Sequence, residues 1–177
     1  MNRKVKNIEL NRLSPDAFKH VQKLPLCLIL DGIRSLQNVG SIFRTADAFA
    51  IEAVYLCGIT GTPPHKEIHK TALGSEESVN WFYEKDIVTC LHNLKRREYL
   101  IASLEQTTES TFLHEFVSSK PIALILGNEV DGVSEEAIAA SDICLEIEQF
   151  GTKHSLNVSV SAGIALWHIS QRLRNKV

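Results

Sequence analysis

The amino-acid sequence predicts an α/β domain built on a mostly parallel sheet with helices on both faces. Three observations predict it. Short, uninterrupted apolar runs alternate with helical segments along most of the chain. Polar, Gly-containing segments fall just after several of those runs, where ligand loops of open parallel sheets sit. The length of 177 residues, 44% of them hydrophobic, suits one compact domain with a full core.

The elements follow in order. Ser14-Pro15-Asp16 predicts a helix start: a capping Ser, Pro in the first turn and an acid near the positive end. That helix is expected to run to about Lys23, with Pro25 ending it, so residues 1–25 form a short N-terminal helical extension of a single domain spanning 1–177. Leu26–Leu30 reads as a strand buried on both faces. Gly40–Ala50 reads as a helix, Ala53–Cys57 as a strand ended by Gly58, and Thr60–Pro64 as a loop. Lys85–Arg97 is an expected helix, and Tyr99–Leu104 and Ile122–Leu126 are expected strands. Ser134–Ser141 is an expected helix, with Glu135 and Glu136 in its favourable first turn. Ile143–Ile147 is the last strand and Leu156–Leu173 a long closing helix. Asp31–Gly40, Gly127–Ser134 and Glu148–Ser155 therefore follow strands, and three loops at one sheet edge make a site.

Composition narrows the function classes. A charged fraction of 23% is not that of a disordered chain, and a net charge of −2 argues against binding nucleic acid by blanket charge. Both ends are nonetheless basic, with Arg3, Lys4 and Lys6 at one and Arg172, Arg174 and Lys176 at the other. No apolar stretch reaches the length of a membrane span. The polar, basic N-terminus has no apolar core, which predicts no secretory signal. Cys27, Cys57, Cys90 and Cys144 lie far apart without a CxxC pair, so disulfides and zinc are not expected and a reducing cytoplasm is.

Common cofactor motifs are missing. No GxGxxG follows a strand and there is no P-loop. His65 and His69 stand at i,i+4, but the segment is not HExxH and no third ligand is evident, so no metal is expected. His154 and Ser155 are adjacent, which does not make a nucleophile–base pair. His168 reads as a packed or exposed helix residue.

Three segments carry a constellation. Asn38-Val39-Gly40-Ser41-Ile42-Phe43-Arg44-Thr45-Ala46-Asp47-Ala48 fits N-x-G-x-x-x-R-T-A-D-A. Leu126-Gly127-Asn128-Glu129-Val130-Asp131-Gly132 fits L-G-x-E-x-x-G. Ile147 through Ser159 is similar to I-P-M-x-G-x-x-x-S-L-N-V-S, with Glu148 where the pattern has Pro and Gln149 where it has Met. In this order, each after an apolar strand, they resemble the signature motifs of the SpoU (TrmH-like) RNA ribose 2′-O-methyltransferases of the SPOUT superfamily. Lys70-Thr71-Ala72-Leu73-Gly74 is also similar to the family. The likeness runs from about Leu26 to the C-terminus. It implies a C-terminal trefoil knot that holds S-adenosyl-L-methionine (AdoMet) bent within it, and a homodimer. Ala50 stands where a Gly is often seen, keeping a small residue.

The resemblance assigns the residues. Arg44, which alone reads as an i,i+3 surface partner of Asp47, acts in the family at the ribose and phosphate of the target nucleotide. Guanidinium keeps its proton at ordinary pH, so orienting the phosphate and stabilising a developing 2′-oxyanion suit it better than acting as a base. Asn38, by itself a helix cap, supports that Arg and the nucleotide. Glu129, by itself a loop acid, lies near the Arg and fixes it. Ser155 reads as the cap of the last helix and Asn157 as a first-turn residue, and the family keeps both in the active site. Leu104, Gly127, Ile147 and Leu156 are implied as cofactor contacts, largely through backbone. Ser159, Ser161, Ala162 and Gly163 suit tight helix packing, and dimerisation would bring Arg44 to the partner subunit's site. The implied partner is tRNA or rRNA rather than DNA, because only RNA carries the 2′-hydroxyl, and no membrane is expected, for want of a long apolar stretch. Two rival readings are an RNA-binding module without catalysis and a small-molecule nucleotide or phosphate enzyme.

Overall fold

The computed structural model describes residues 2–174; Lys176, counted above in the basic C-terminal end, lies outside them. Seven strands form one sheet: β1 Leu24–Asp31, β2 Ile51–Cys57, β3 Trp81–Glu84, β4 Leu100–Leu104, β5 Thr111–Phe112, β6 Ile122–Gly127 and β7 Ile143–Glu146. Their order is β3-β2-β1-β6-β4-β7-β5, and every pairing is parallel. The helices are α1 Pro15–His20, α2 Leu36–Phe49, α3 Lys66–Ala72, α4 Ser75–Ser78, α5 Ile87–Arg96, α6 Glu135–Ala140 and α7 Val158–Arg174.

Strand alternation sorts the core into two layers. Leu26, Leu28 and Leu30 of β1 meet Ile42 and Phe43 of α2, Ile68 of α3 and Leu166 of α7. Cys27 and Ile29 point the other way, among Leu91 and Leu94 of α5 and Ala137 of α6. Both faces of the central strands are dry, which is why their sequences are unbroken apolar runs.

Several boundaries differ from expectation. α1 stops at His20, and Pro25 does not end it; Pro25 is the second residue of β1, at a register irregularity between Leu24 and Cys27 that accommodates its missing N–H. α2 starts four residues before Gly40, at Leu36, because Ser35 caps it: its Oγ accepts the Asn38 N–H at 3.3 Å. β3, β5, α3 and α4 are additional elements. The basic ends are partly engaged, Arg3 with Glu9 at 2.7 Å and Arg174 with the Phe49 carbonyl at 3.3 Å.

This topology positions the site. β1, β6, β4 and β7 are neighbours, with Asp31 beside Gly127, Leu104 beside Leu126, and Leu145 beside Leu104. The three sequence loops leave three of these four carboxyl ends.

Candidate active site

One hydrogen-bond chain joins the three motif segments. The Glu129 carboxylate accepts the backbone N–H groups of Arg34 and Ser35, at 3.1 and 3.2 Å, and the Asn38 amide Nδ2 at 2.8 Å. Asn157 Nδ2 donates to Asn38 Oδ1 at 3.2 Å. Burial alone would raise the Glu129 pKa; the donated bonds from Asn38, Arg34, Ser35 and its own backbone outweigh it and leave the carboxyl below its ordinary value.

Two capping expectations are corrected. Asn38 is not the cap of α2; Ser35 is, and this frees the Asn38 side chain to bridge Glu129 and Asn157. Nor does Ser155 cap the last helix. Asn157 Oδ1 accepts the Ser159 N–H at 2.9 Å and the Ser159 hydroxyl at 2.6 Å, so α7 begins at Val158 and Ser155 stays in the preceding loop.

A cavity of about 340 Å³ lies over the strand ends, within the roughly 300–1,000 Å³ of small-molecule sites. Leu104, Gly127, Ile147 and Leu156 all line it, together with Glu129 and Ser155. Its charged lining is acidic: Glu105, Asp131 and Glu146 join Glu129, and neither Lys nor Arg is among the lining residues. Apolar walls beside the Gly127 backbone suit an adenine, and carboxylates suit a sulfonium cation better than a phosphate. The residues present therefore fit AdoMet and disfavour a dinucleotide.

Arg44 stands apart. It is exposed on α2 and lines a separate groove of about 670 Å³, with Arg12, Asp47 and Glu77. It is six residues beyond Asn38, about 9 Å along the helix axis. Among the described residues it has no ion pair or side-chain hydrogen bond; the expected partner Asp47 instead accepts the Ser78 hydroxyl at 2.7 Å. Within one chain Glu129 therefore fixes Asn38 rather than the Arg44 guanidinium. The structure brings Asn38, Glu129, Ser155, Asn157 and the four residues expected to contact the cofactor together and leaves Arg44 on another face.

The imidazole pair does not assemble as one ligand set. His65 Nδ1 accepts the Glu67 N–H at 3.2 Å and starts α3, whereas His69 faces Glu76 at 2.5 Å, with Glu77 near both. His154 lines the cavity, and His168 approaches the Phe116 carbonyl at 3.5 Å. Glu148, at the usual Pro position, faces His114 at 3.5 Å. Sequence reasoning missed Asp31 and Glu105. Asp31 accepts the Ser134 N–H at 2.8 Å and Glu105 the Val133 N–H at 3.0 Å. The available signal was an acid at the end of β1 and another directly after β4.

Fold and site together define an open parallel α/β protein whose ligand cavity is made by loops at neighbouring strand ends, tied to one another by side-chain amides and a carboxylate. The chain belongs to the SpoU rRNA Methylase family, whose model matches residues 25–167. It is 33% identical over 151 residues to the 23S rRNA (guanosine-2′-O-)-methyltransferase RlmB of Neisseria meningitidis, covering 85% of this chain and 60% of that protein. It is 31% identical to the tRNA (guanosine(18)-2′-O)-methyltransferase of Thermus thermophilus, covering 85% of this chain and 76% of that one. Among solved structures, the A. aeolicus TrmH/SpoU tRNA modifying enzyme superposes with a TM-score of 0.81 at 28% identity, over 90% of this chain and 80% of that chain. The AdoMet-bound rRNA methyltransferase of Sinorhizobium meliloti superposes at 0.77 and 26% identity, over 91% of this chain and 61% of that chain. No helix of the described residues is long and apolar enough to cross a membrane.

Proposed function

We propose that this chain transfers a methyl group from AdoMet to a ribose 2′-hydroxyl of tRNA or rRNA. The observation that carries the reading is the Glu129–Asn38–Asn157 chain beside an acidic, apolar-walled cavity. Bound AdoMet supplies the electrophilic methyl group. The protein's own contribution is placement: Leu104, Gly127, Ile147 and Leu156 hold the cofactor, while Asn38 and Asn157 present fixed amides where the nucleotide enters. Ser155, at the cavity lining, orients the ribose. Such placement lowers a transfer barrier by several kcal/mol, roughly 7–11 for ideally oriented groups.

Arg44 completes the site from a partner subunit. It grips the target phosphate and stabilises the developing oxyanion, and the proton leaves through phosphate or water. Two observations support this division. Arg44 is exposed and unpaired among the described residues, and Val160, Ile164 and Trp167 form an exposed apolar stripe at i, i+4 and i+7 on α7. A homodimer would cover that stripe. The same reading takes the chain from Gly127 through α7 as the family's trefoil knot, working in the cytoplasm.

The test uses methyl-labelled AdoMet with unmodified tRNA and, separately, unmodified rRNA. Label in an alkali-resistant dinucleotide is the expected result, since a 2′-O-methylated ribose blocks alkaline cleavage. Label on single nucleotides would mean base methylation and overturn the reaction type. AdoMet binding without transfer to either pool would favour the RNA-binding module.

A further inference from the structure

We infer that Glu105 is the positioning residue of the cofactor wall: its carboxylate, at the end of β4, sets the Gly132–Val133 turn that closes the cavity. The inference rests on the reading of the cavity as an AdoMet site.

The turn is closed by an antiparallel bridge. The Asn128 N–H donates to the Gly132 carbonyl at 3.0 Å, and the Gly132 N–H returns to the Asn128 carbonyl at 3.1 Å. That bridge leaves the next N–H, of buried Val133, without a backbone acceptor. Glu105 Oε2 takes it at 3.0 Å, while Oε1 accepts the Gln106 N–H at 3.0 Å. The carboxylate is thus fixed from both oxygens. Its backbone is fixed as well, because the Glu105 N–H donates to the Leu145 carbonyl at 2.9 Å and extends the β4–β7 pairing.

Gly132 has φ +72°, and a Cβ there would overlap Glu105 Oε2. A Cβ on Gly127 would overlap the backbone of Gly132 and Val133. The Gly132 backbone therefore lies directly against Gly127 at the end of β6, with the Glu105 side chain on its other side. All three residues line the cavity, so the acid sets where the Gly132–Val133 turn lies against Gly127 at the cavity wall. A charged acceptor in this place makes a stronger bond to a buried N–H than water would.

The role separates from direct ligand contact by comparing Glu105→Gln, which keeps the acceptor and drops the charge, with Glu105→Ala. Amide exchange at Val133, followed by NMR in the protein without ligand, is expected to speed up at least about tenfold in Glu105→Ala and to stay within a few-fold of the parent in Glu105→Gln. AdoMet affinity by calorimetry is expected to fall about tenfold or more in Glu105→Ala, the scale of a misplaced wall, and by clearly less in Glu105→Gln, which loses one carboxylate of the acidic lining but keeps the wall. KM for AdoMet rises while kcat changes little, because Glu105 acts on the wall rather than on the reacting atoms. Unchanged Val133 exchange in Glu105→Ala would overturn the inference. Equal loss of AdoMet affinity in both variants would also overturn it, since that pattern marks the charge as a direct ligand contact. If the parent binds no AdoMet, the proposed function fails, and Val133 exchange still decides the role of Glu105.

Discussion

Asn38 and Glu129, 91 residues apart, meet through a 2.8 Å hydrogen bond whose direction is forced. An ionised carboxylate only accepts, so it must face the Asn38 Nδ2. Asn38 Oδ1 is then turned toward Asn157 and receives its Nδ2. Asn157 Oδ1 is already committed to the start of α7. The charge on Glu129 thus fixes the polarity of the whole chain of amides, and with it which atoms the site presents.

The first prediction concerns pH. Hydrogen bonds hold the Glu129 pKa below its ordinary value of 4.5, so the stability it contributes is fully present above pH 4.5. That contribution is lost as pH falls from there through the lower folded-state pKa. Glu129→Gln should remove this dependence. Denaturation midpoints measured at about pH 3 to 7 should fall more steeply below 4.5 in the parent than in the variant, with a difference of about 1 kcal/mol or less because the residue is solvent-screened. Parallel profiles would show that Glu129 titrates alike folded and unfolded.

A second prediction tests the amide pair. Asn38→Ala and Asn157→Ala should each cost about 1 kcal/mol, and Asn157→Ala also removes the α7 cap. In a double-mutant cycle the two should couple by about 0.5 kcal/mol or more. Strict additivity would mean the 3.2 Å bond carries no energy. AdoMet affinity should survive both changes, since neither residue lines the cavity.

What the sequence revealed and what it hid have physical causes. The central strands were legible because both their faces are dry, leaving runs such as Leu26–Leu30 unbroken. β3 was not: Trp81–Glu84 lies at the sheet edge with its side chains partly or fully exposed, and its aromatic run has no alternation. α3, Lys-Glu-Ile-His-Lys-Thr-Ala, buries only Ile68 and Ala72 and carries too short an apolar stripe to register. The motif residues were legible as a set, but their links were not. Whether Ser155 or Asn157 caps α7 depends on how the preceding loop lies, and both are good capping types. The Glu129–Asn38 bond joins segments that only the β1–β6 pairing brings together.

Gly40 gives a third prediction. α3 approaches α2 closely there: a Cβ would overlap Thr71 Oγ1 and the Ile68 carbonyl. Thr71 Oγ1 itself donates to the Gln37 carbonyl at 3.0 Å, so the two helices are locked where α2 enters the site. Gly40→Ala would favour an isolated helix by about 0.5–1 kcal/mol, yet overpacking against rigid backbone should make it a net loss of about 1–3 kcal/mol. Thermal unfolding decides it, and a variant as stable as the parent would show that α3 yields freely.

The last prediction concerns the division of the site between subunits. If Arg44 serves the partner's site, Arg44→Ala and Asn157→Ala should each be nearly inactive alone, yet complement each other when coexpressed. A mixed dimer holds one site with both residues intact and one with neither. Random pairing makes half the dimers mixed, each with one working site of two, so activity should recover to about a quarter of the parent's. If Arg44 served its own subunit, every site in the mixture would lack one residue and nothing would recover. Trp167→Glu sharpens the test. Trp167 is 58% exposed on the α7 stripe, and a charge there should leave the chain folded but monomeric by sedimentation. The monomer should keep AdoMet affinity, because the cavity lies within one chain, and lose methyl transfer, because Arg44 stands on another face. A fully active monomer would overturn the shared site, since no partner's Arg44 would then be needed for the reaction.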